Sequence, residues 1–248
     1  MGGKAVRTLG KAWLGVREEA ERMGFRWRPT LVVVWVALAL LLPEYHKGGW
    51  FISLLGWVGG DGFAHWCATH GINLKLILHV AIPMGLILIM RERLRDYGLG
   101  LGKVRTGLKV CAICYILYVP CFIVLFANSG FQEYYASVAT HYHTVTQLLI
   151  RQSFIVAILC LRTEFLYRGF LLFGLKRHYG APVGILVQLI PYVLVHSGKA
   201  ELEALGSLPV GLALGYIAVK TESIWYGALL HGSIALLFNV LILLSHST

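Results

Sequence analysis

Residues 148–175 read LLIRQSFIVAILCLRTEFLYRGFLLFGL. The run is mostly apolar, and Arg162-Thr163-Glu164-Phe165-Leu166-Tyr167-Arg168-Gly169 lies inside it. A membrane-crossing helix needs about 20 predominantly apolar residues, so the stretch is long enough to span. Ionisable residues inside a span cost about 2.5–3.5 kcal/mol each at its centre and therefore need partners. Glu164 and Arg168 are four residues apart, which puts them on one helical face and lets them pair within one helix. The plain alternative to a chemical role is an ion pair that only fixes helix packing.

The rest of the chain agrees with a membrane reading. Of its 248 residues 57% are hydrophobic and 14% charged, and the mean hydropathy is +0.69. Soluble domains carry nearer a quarter charged residues, so this chain could not cover itself with polar surface. The formal charge of +10 does not point to nucleic acid. Seven of the 22 Lys and Arg residues lie within 1–28 and six more between Arg91 and Lys109, flanking apolar runs. That is the pattern of cytoplasmic segments and headgroup contact. The five cysteines, Cys67, Cys111, Cys114, Cys121 and Cys160, make no disulfide framework. Cys111 and Cys114 form a CxxC inside an apolar run, with no second pair to complete a zinc site.

Candidate spans fall at roughly 29–46, 72–90, 108–127, 148–175, 181–197, 205–219 and 223–245. The expected fold is therefore an all-α, polytopic transmembrane bundle of about seven (six to eight) helices. Segment 49–69, with Trp50, Trp57 and Trp66 among glycines, reads as interfacial or re-entrant, because Asp61 and His65 interrupt it. Residues 1–28 read as a basic, amphipathic cytoplasmic segment without a signal-cleavage site. Residues 29–147 hold the N-terminal helices and loops, and 148–245 the core that carries the chemistry. With the N-terminus inside, 44–71 and 129–147 fall outside. Arg91–Lys109, Lys176, Arg177 and Lys220 then all fall inside. The first span is weakest, since its apolar run stops at Pro43. Gly211 and Gly215 form a GxxxG, which lets helix backbones approach closely.

Two further elements join the Glu164–Arg168 pair. The fifth span ends in Tyr192-Val193-Leu194-Val195-His196, followed by Ser197-Gly198-Lys199-Ala200-Glu201-Leu202-Glu203. The last span carries His231 near its first third. One carboxylate and two histidines on three spans are the minimum for activating a water beside a peptide carbonyl: a base for the proton and a donor for the oxyanion.

In this arrangement Thr163–Gly169 resembles motif one of the CPBP intramembrane peptidases. That family includes the CAAX prenyl endopeptidases and the Abi-type bacteriocin-immunity proteins. The motif is two glutamates, three residues, then arginine, usually followed by glycine. Tyr192 and His196 fit the second motif, an aromatic four residues before a histidine, and His231 fits the last. Leu94-Arg95-Asp96-Tyr97-Gly98-Leu99 resembles a segment that often precedes the core. The resemblance covers about 148–242. It implies Glu164, His196 and His231 as catalytic residues, with Arg168, Thr163 and Tyr192 in support.

Two departures qualify it. The family's first glutamate falls on Thr163, which can position a water but cannot be a base. Where the family often has Asn or Asp, four residues after the last histidine, this chain has Ala235. Asn239 lies about 12 Å from His231 by helix rise and does not simply replace the missing group. Lys199 and Glu203 are similar to a Gly-Lys and downstream acid in a single-glutamate subgroup. The plain reading of Lys199, Glu201 and Glu203 is a solvated loop, preferred for Glu201.

The expected function is glutamate-type endopeptidase cleavage of a membrane-associated, C-terminally anchored or lipidated protein within a plasma membrane of bacterial type. No cofactor is expected. Zinc is the lesser alternative, since the histidines lack HExxH spacing. The rival from another class is a non-catalytic member acting in immunity, scaffolding or sorting. A transporter ranks lower, because only one acid lies deep in a span and no inverted repeat is visible.

Overall fold

The computed structural model describes residues 15, 18–20, 22–46, 57, 74–126, 146 and 157–246. Their regular elements are helices, and no strand occurs among them. The 49–69 segment apart from Trp57, the 129–147 loop apart from Thr146, and the start of the fourth span at 148–156 lie outside the described residues.

Helix α1 is Trp27–His46 and continues through Pro43. Proline has no N–H to give the carbonyl four residues back, so a helix containing it needs another donor there. Here that carbonyl belongs to Ala39, and it accepts from Nε2 of the buried His79 at 3.3 Å. His79 stands in α2 (residues 74–89), which winds as a π-helix over Ile77–Ala81. Trp35 Nε1 donates to the Leu78 carbonyl in the same π turn at 2.9 Å. His79→Leu should leave the Ala39 carbonyl unpaired and cost about 1–3 kcal/mol. A clear drop in the thermal midpoint of the detergent-solubilised protein is expected, and an unchanged midpoint would refute this account of Pro43.

A 3-10 turn, Leu94–Tyr97, leads to α3, Val104–Phe126. Helix α4 runs over 157–179 and holds the structure's longest irregularity: Phe165–Phe173 winds as a nine-residue π-helix, every residue of it buried. A helix apolar all round belongs in the middle of a bundle. This one packs against α1, the π turn of α2, the 3-10 turn, α5 (Ala181–Leu194) and α6 (Glu201–Thr221). Sequence reading ended this span at 175, whereas the helix continues to Tyr179 and stops at Gly180, whose φ is +85°. Gly180 is sixteen residues from both Glu164 and His196, so the α4–α5 hairpin returns the two to one level.

Glu201 and Glu203, read as loop, stand instead in the first turn of α6. Acidic side chains are favoured there by the helix dipole. Helix α5 meets α6 at the expected GxxxG, where Gln188 Nε2 donates to the Gly211 carbonyl at 3.0 Å. Helix α7, Trp225–His246, packs with α3 and α6. By length and composition α6 is the helix among the described residues that could cross a membrane, while Trp27–Pro43, Ile77–Ile89, Ala181–Leu194 and Trp225–Leu237 are shorter apolar stretches.

The end of the bundle away from the His196–Glu203 segment is tied by polar contacts. Glu92 accepts from Arg28 and Arg177, each at 3.2 Å, and from the Tyr97 hydroxyl. Burial, then the hydrogen bond to Glu92, pushes the Tyr97 phenol above its ordinary value. Residues 98–103 are fastened to the α6–α7 turn. Lys103 N donates to the Thr221 carbonyl at 2.8 Å, Ile224 N to Gly98 at 2.9 Å and Trp225 Nε1 to Leu99 at 2.9 Å. The Tyr226 hydroxyl donates to the Leu101 carbonyl at 2.8 Å. Gly102 has a φ of +55°, and a Cβ there would come within 2.0 Å of the Thr221 carbonyl oxygen, so the fastening requires glycine.

Candidate active site

Glu164 sits where α4 passes from α to π winding, and its side chain is completely buried. Its Oε1 accepts from Arg168 Nη1 at 3.0 Å and from His231 Nδ1 at 3.2 Å. Its Oε2 is buried with no hydrogen-bond partner among the described residues. The carboxylate therefore keeps one oxygen fixed and one with its acceptor capacity unspent. Arg168 is likewise fully buried, and only Nη1 of its guanidinium is hydrogen-bonded among the described residues. The rest of its charge faces aromatic rings, with Tyr192 at 4.2 Å and Tyr167 at 6.0 Å. Cation–π contacts of this kind reach about 2 kcal/mol when desolvated.

Tyr192 also organises both histidines. Its carbonyl accepts from His196 Nδ1 at 2.7 Å. A carbonyl only accepts, so the proton is on Nδ1 and Nε2 of neutral His196 carries the lone pair. The Tyr192 ring centre lies 4.7 Å from His196 and 6.3 Å from His231. His231, one quarter exposed, gives its Nδ1 proton to Glu164 when neutral. Its Nε2 then becomes a donor only in the imidazolium form.

Five of the sequence-derived residues therefore stand together, Glu164, Arg168, His231 and Tyr192 with His196 joined through Tyr192, while Thr163 adjoins Glu164 only along the chain. The Thr163 hydroxyl donates back to the Leu159 carbonyl. Lys199 and Glu203 pair with each other at 2.5 Å. Lys199 lies in the turn between α5 and α6, where burial pushes its amine below its ordinary value. Helix α7 runs through Asn239, whose side chain lies outside the described ones. Among the described residues no three His, Cys, Asp or Glu gather as a metal-ligand set.

Sequence reading missed Gly227. A Cβ at this position would lie 2.7 Å from Glu164 Oε2, so glycine is what admits the carboxylate to the surface of α7. The signal was available: Gly227 is four residues before His231 and shares its helical face. It also missed the Tyr115–Ser233 hydrogen bond, which ties α3 to α7 two residues beyond His231.

Residues 144–237 match the model of the family described as type II CAAX prenyl endopeptidase Rce1-like. The match covers less than half of the chain and takes in Glu164, Arg168, His196 and His231. It bears out the CPBP resemblance read from the three motifs, and the family is one of endopeptidases. Comparisons with curated proteins and with solved structures found no match.

Proposed function

We propose that the chain is an intramembrane endopeptidase that hydrolyses a peptide bond of a membrane-associated or C-terminally anchored protein. The observation that carries this reading is the divided Glu164 carboxylate, with Oε1 held by Arg168 and His231 and Oε2 unspent. Oε2 and His196 Nε2 are the proton acceptors of the site. A water between them would add its oxygen to the scissile carbonyl carbon and lose a proton to this pair. That proton then passes to the amide nitrogen as the C–N bond breaks. His231, as an imidazolium held by Glu164, would present Nε2–H to the developing oxyanion. Thr163 would help position the water, and Lys199 with Glu203 would flank the entrance beside His196.

The apolar composition, the apolar helices and a match to a family of membrane-embedded proteases support a multi-pass protein of the plasma membrane. Gathering of Arg28, Arg95, Lys103, Lys176 and Arg177 at the end away from the His196–Glu203 segment supports a cytoplasmic N-terminus and a site opening toward the outer face. An exported substrate, such as a C-terminal sorting signal, suits that orientation better than a cytosolic prenylated peptide.

The test is cleavage of membrane-anchored reporter substrates by the purified, reconstituted protein, with C-termini compared in cells lacking the gene. Glu164→Ala and His196→Ala should each abolish cleavage in vitro and leave the same uncleaved C-termini in cells. Cellular function retained by both variants would overturn the protease reading and leave the non-catalytic one, in immunity, scaffolding or sorting.

A further inference from the structure

The 3-10 turn, the 98–103 loop, the end of α4 and the α6–α7 turn line a cavity of about 440 Å³. Its wall carries three cations, Arg95, Lys176 and Arg177, and two acids, Asp96 and Glu222. Both acids are already matched: Asp96 by Arg177 at 3.0 Å, and Glu222 by Lys103 at 2.7 Å. Neither Arg95 nor Lys176 has a carboxylate within ion-pair distance among the described residues, and the Lys176 ammonium lies over the Phe173 ring at 5.2 Å. The hydrogen bond from Lys103 holds the Glu222 carboxyl below its ordinary value, with weaker help from Lys176 and Arg95.

The rim is built for a membrane surface. Leu101 is 65% exposed and Trp225 38% exposed beside the cavity, and the indole and the Tyr226 hydroxyl are both spent on loop carbonyls. An exposed tryptophan of this kind suits headgroup level. The fastening of the loop to the α6–α7 turn means that the cavity is formed before anything enters it.

The geometry points to a binding site for a phosphate-bearing anion, the headgroup of an acidic phospholipid, between Arg95 and Lys176. Guanidinium and ammonium groups are the pair of choice for phosphate oxygens, the first by its planar fork and the second as a point charge. Basic pockets between helices on the cytoplasmic side take acidic headgroups in this way. Free phosphate shares the chemistry but makes no use of the exposed Leu101 and Trp225 at the rim. The inference rests on the membrane reading above and is independent of proteolysis.

The test is native mass spectrometry of the full chain released from micelles containing phosphatidylglycerol or phosphatidylcholine, with and without millimolar inorganic phosphate. Wild type should retain phosphatidylglycerol over phosphatidylcholine by about tenfold or more. The R95Q/K176Q double variant should lose that preference, and R105Q/K109Q, with the same charge change outside the cavity, should keep it. Phosphatidylglycerol retained equally by R95Q/K176Q, or lost equally from R105Q/K109Q, overturns the proposal. Binding of inorganic phosphate that R95Q/K176Q abolishes, with no preference between the two lipids, assigns the site to the free anion and overturns the lipid. Carbonate extraction of membranes separates the underlying reading: a chain recovered in the soluble fraction fails on membrane insertion, not on headgroup choice.

Discussion

Arg168→Ala should cost the protein about 3–5 kcal/mol of stability, because it leaves the fully buried Glu164 carboxylate without its charge partner. The same change removes the cation that the Tyr192 and Tyr167 rings enclose, opening space at the centre of the bundle. The expected readout is a large fall in thermal midpoint together with loss of cleavage. Two companion variants separate charge from chemistry. Arg168→Lys keeps the charge but loses the planar fork and the stacking on Tyr192, so it should fall between wild type and Arg168→Ala. Replacing both partners, as in the Glu164→Gln, Arg168→Met double variant, should recover most of the stability without recovering activity, since neutral groups of similar volume are tolerated where half of an ion pair is not. A midpoint for Arg168→Ala within 1 °C of wild type would show that the pair does not hold the core.

Gly227→Ala should remove activity at a smaller cost in stability. The added methyl would meet Glu164 Oε2 at 2.7 Å, the carboxyl carbon at 3.4 Å and Leu214 at 3.6 Å. The carboxylate is fully buried and tied to Arg168 and His231, so it cannot swing aside without breaking one of those bonds. Overpacking of this kind costs about 1–3 kcal/mol. A displacement near 1 Å of a catalytic group costs about a hundredfold in rate. The measurement is kcat/KM on a cleaved reporter, with Gly206→Ala as control, since nothing lies within 4 Å of a Cβ at that position. Wild-type kcat/KM in Gly227→Ala would remove Glu164 Oε2 from the mechanism.

These two residues mark how far the sequence could be read. The Glu164–Arg168 pair was legible because a charge inside an apolar run must be matched and the spacing of four supplies the match. His231 was legible as a lone ionisable group in an apolar segment, and the structure joins it to Glu164. What the spacing could not give is the winding of α4. Nothing in FLYRGFLLF distinguishes π from α, because the choice is set by what surrounds the segment on every side and not by its own propensities. The same holds for the π turn at Ile77–Ala81, where the donor to its Leu78 carbonyl, Trp35, stands some forty residues away in the chain. The start of α6 is read as loop because Glu201 and Glu203 are charged, whereas a helix whose first turn lies at the rim of a bundle tolerates that composition. Gly227 was overlooked because glycine is common in this chain, and only the position of the Glu164 side chain makes this one matter.

The fastening of residues 98–103 to the α6–α7 turn also constrains the order in which the bundle can be completed. Its bonds join positions about 120 residues apart, from Lys103–Glu222 to Leu99–Trp225. Contacts so distant in sequence close late, because the intervening chain must first be synthesised and its loop entropy overcome. Helix α3 is made well before its neighbours α6 and α7. Until α7 is made, the helices that carry Glu164 and His196 are without the one that carries His231. A chain truncated before α7 thus lacks His231, and the proposed site is completed only when α7 joins the bundle.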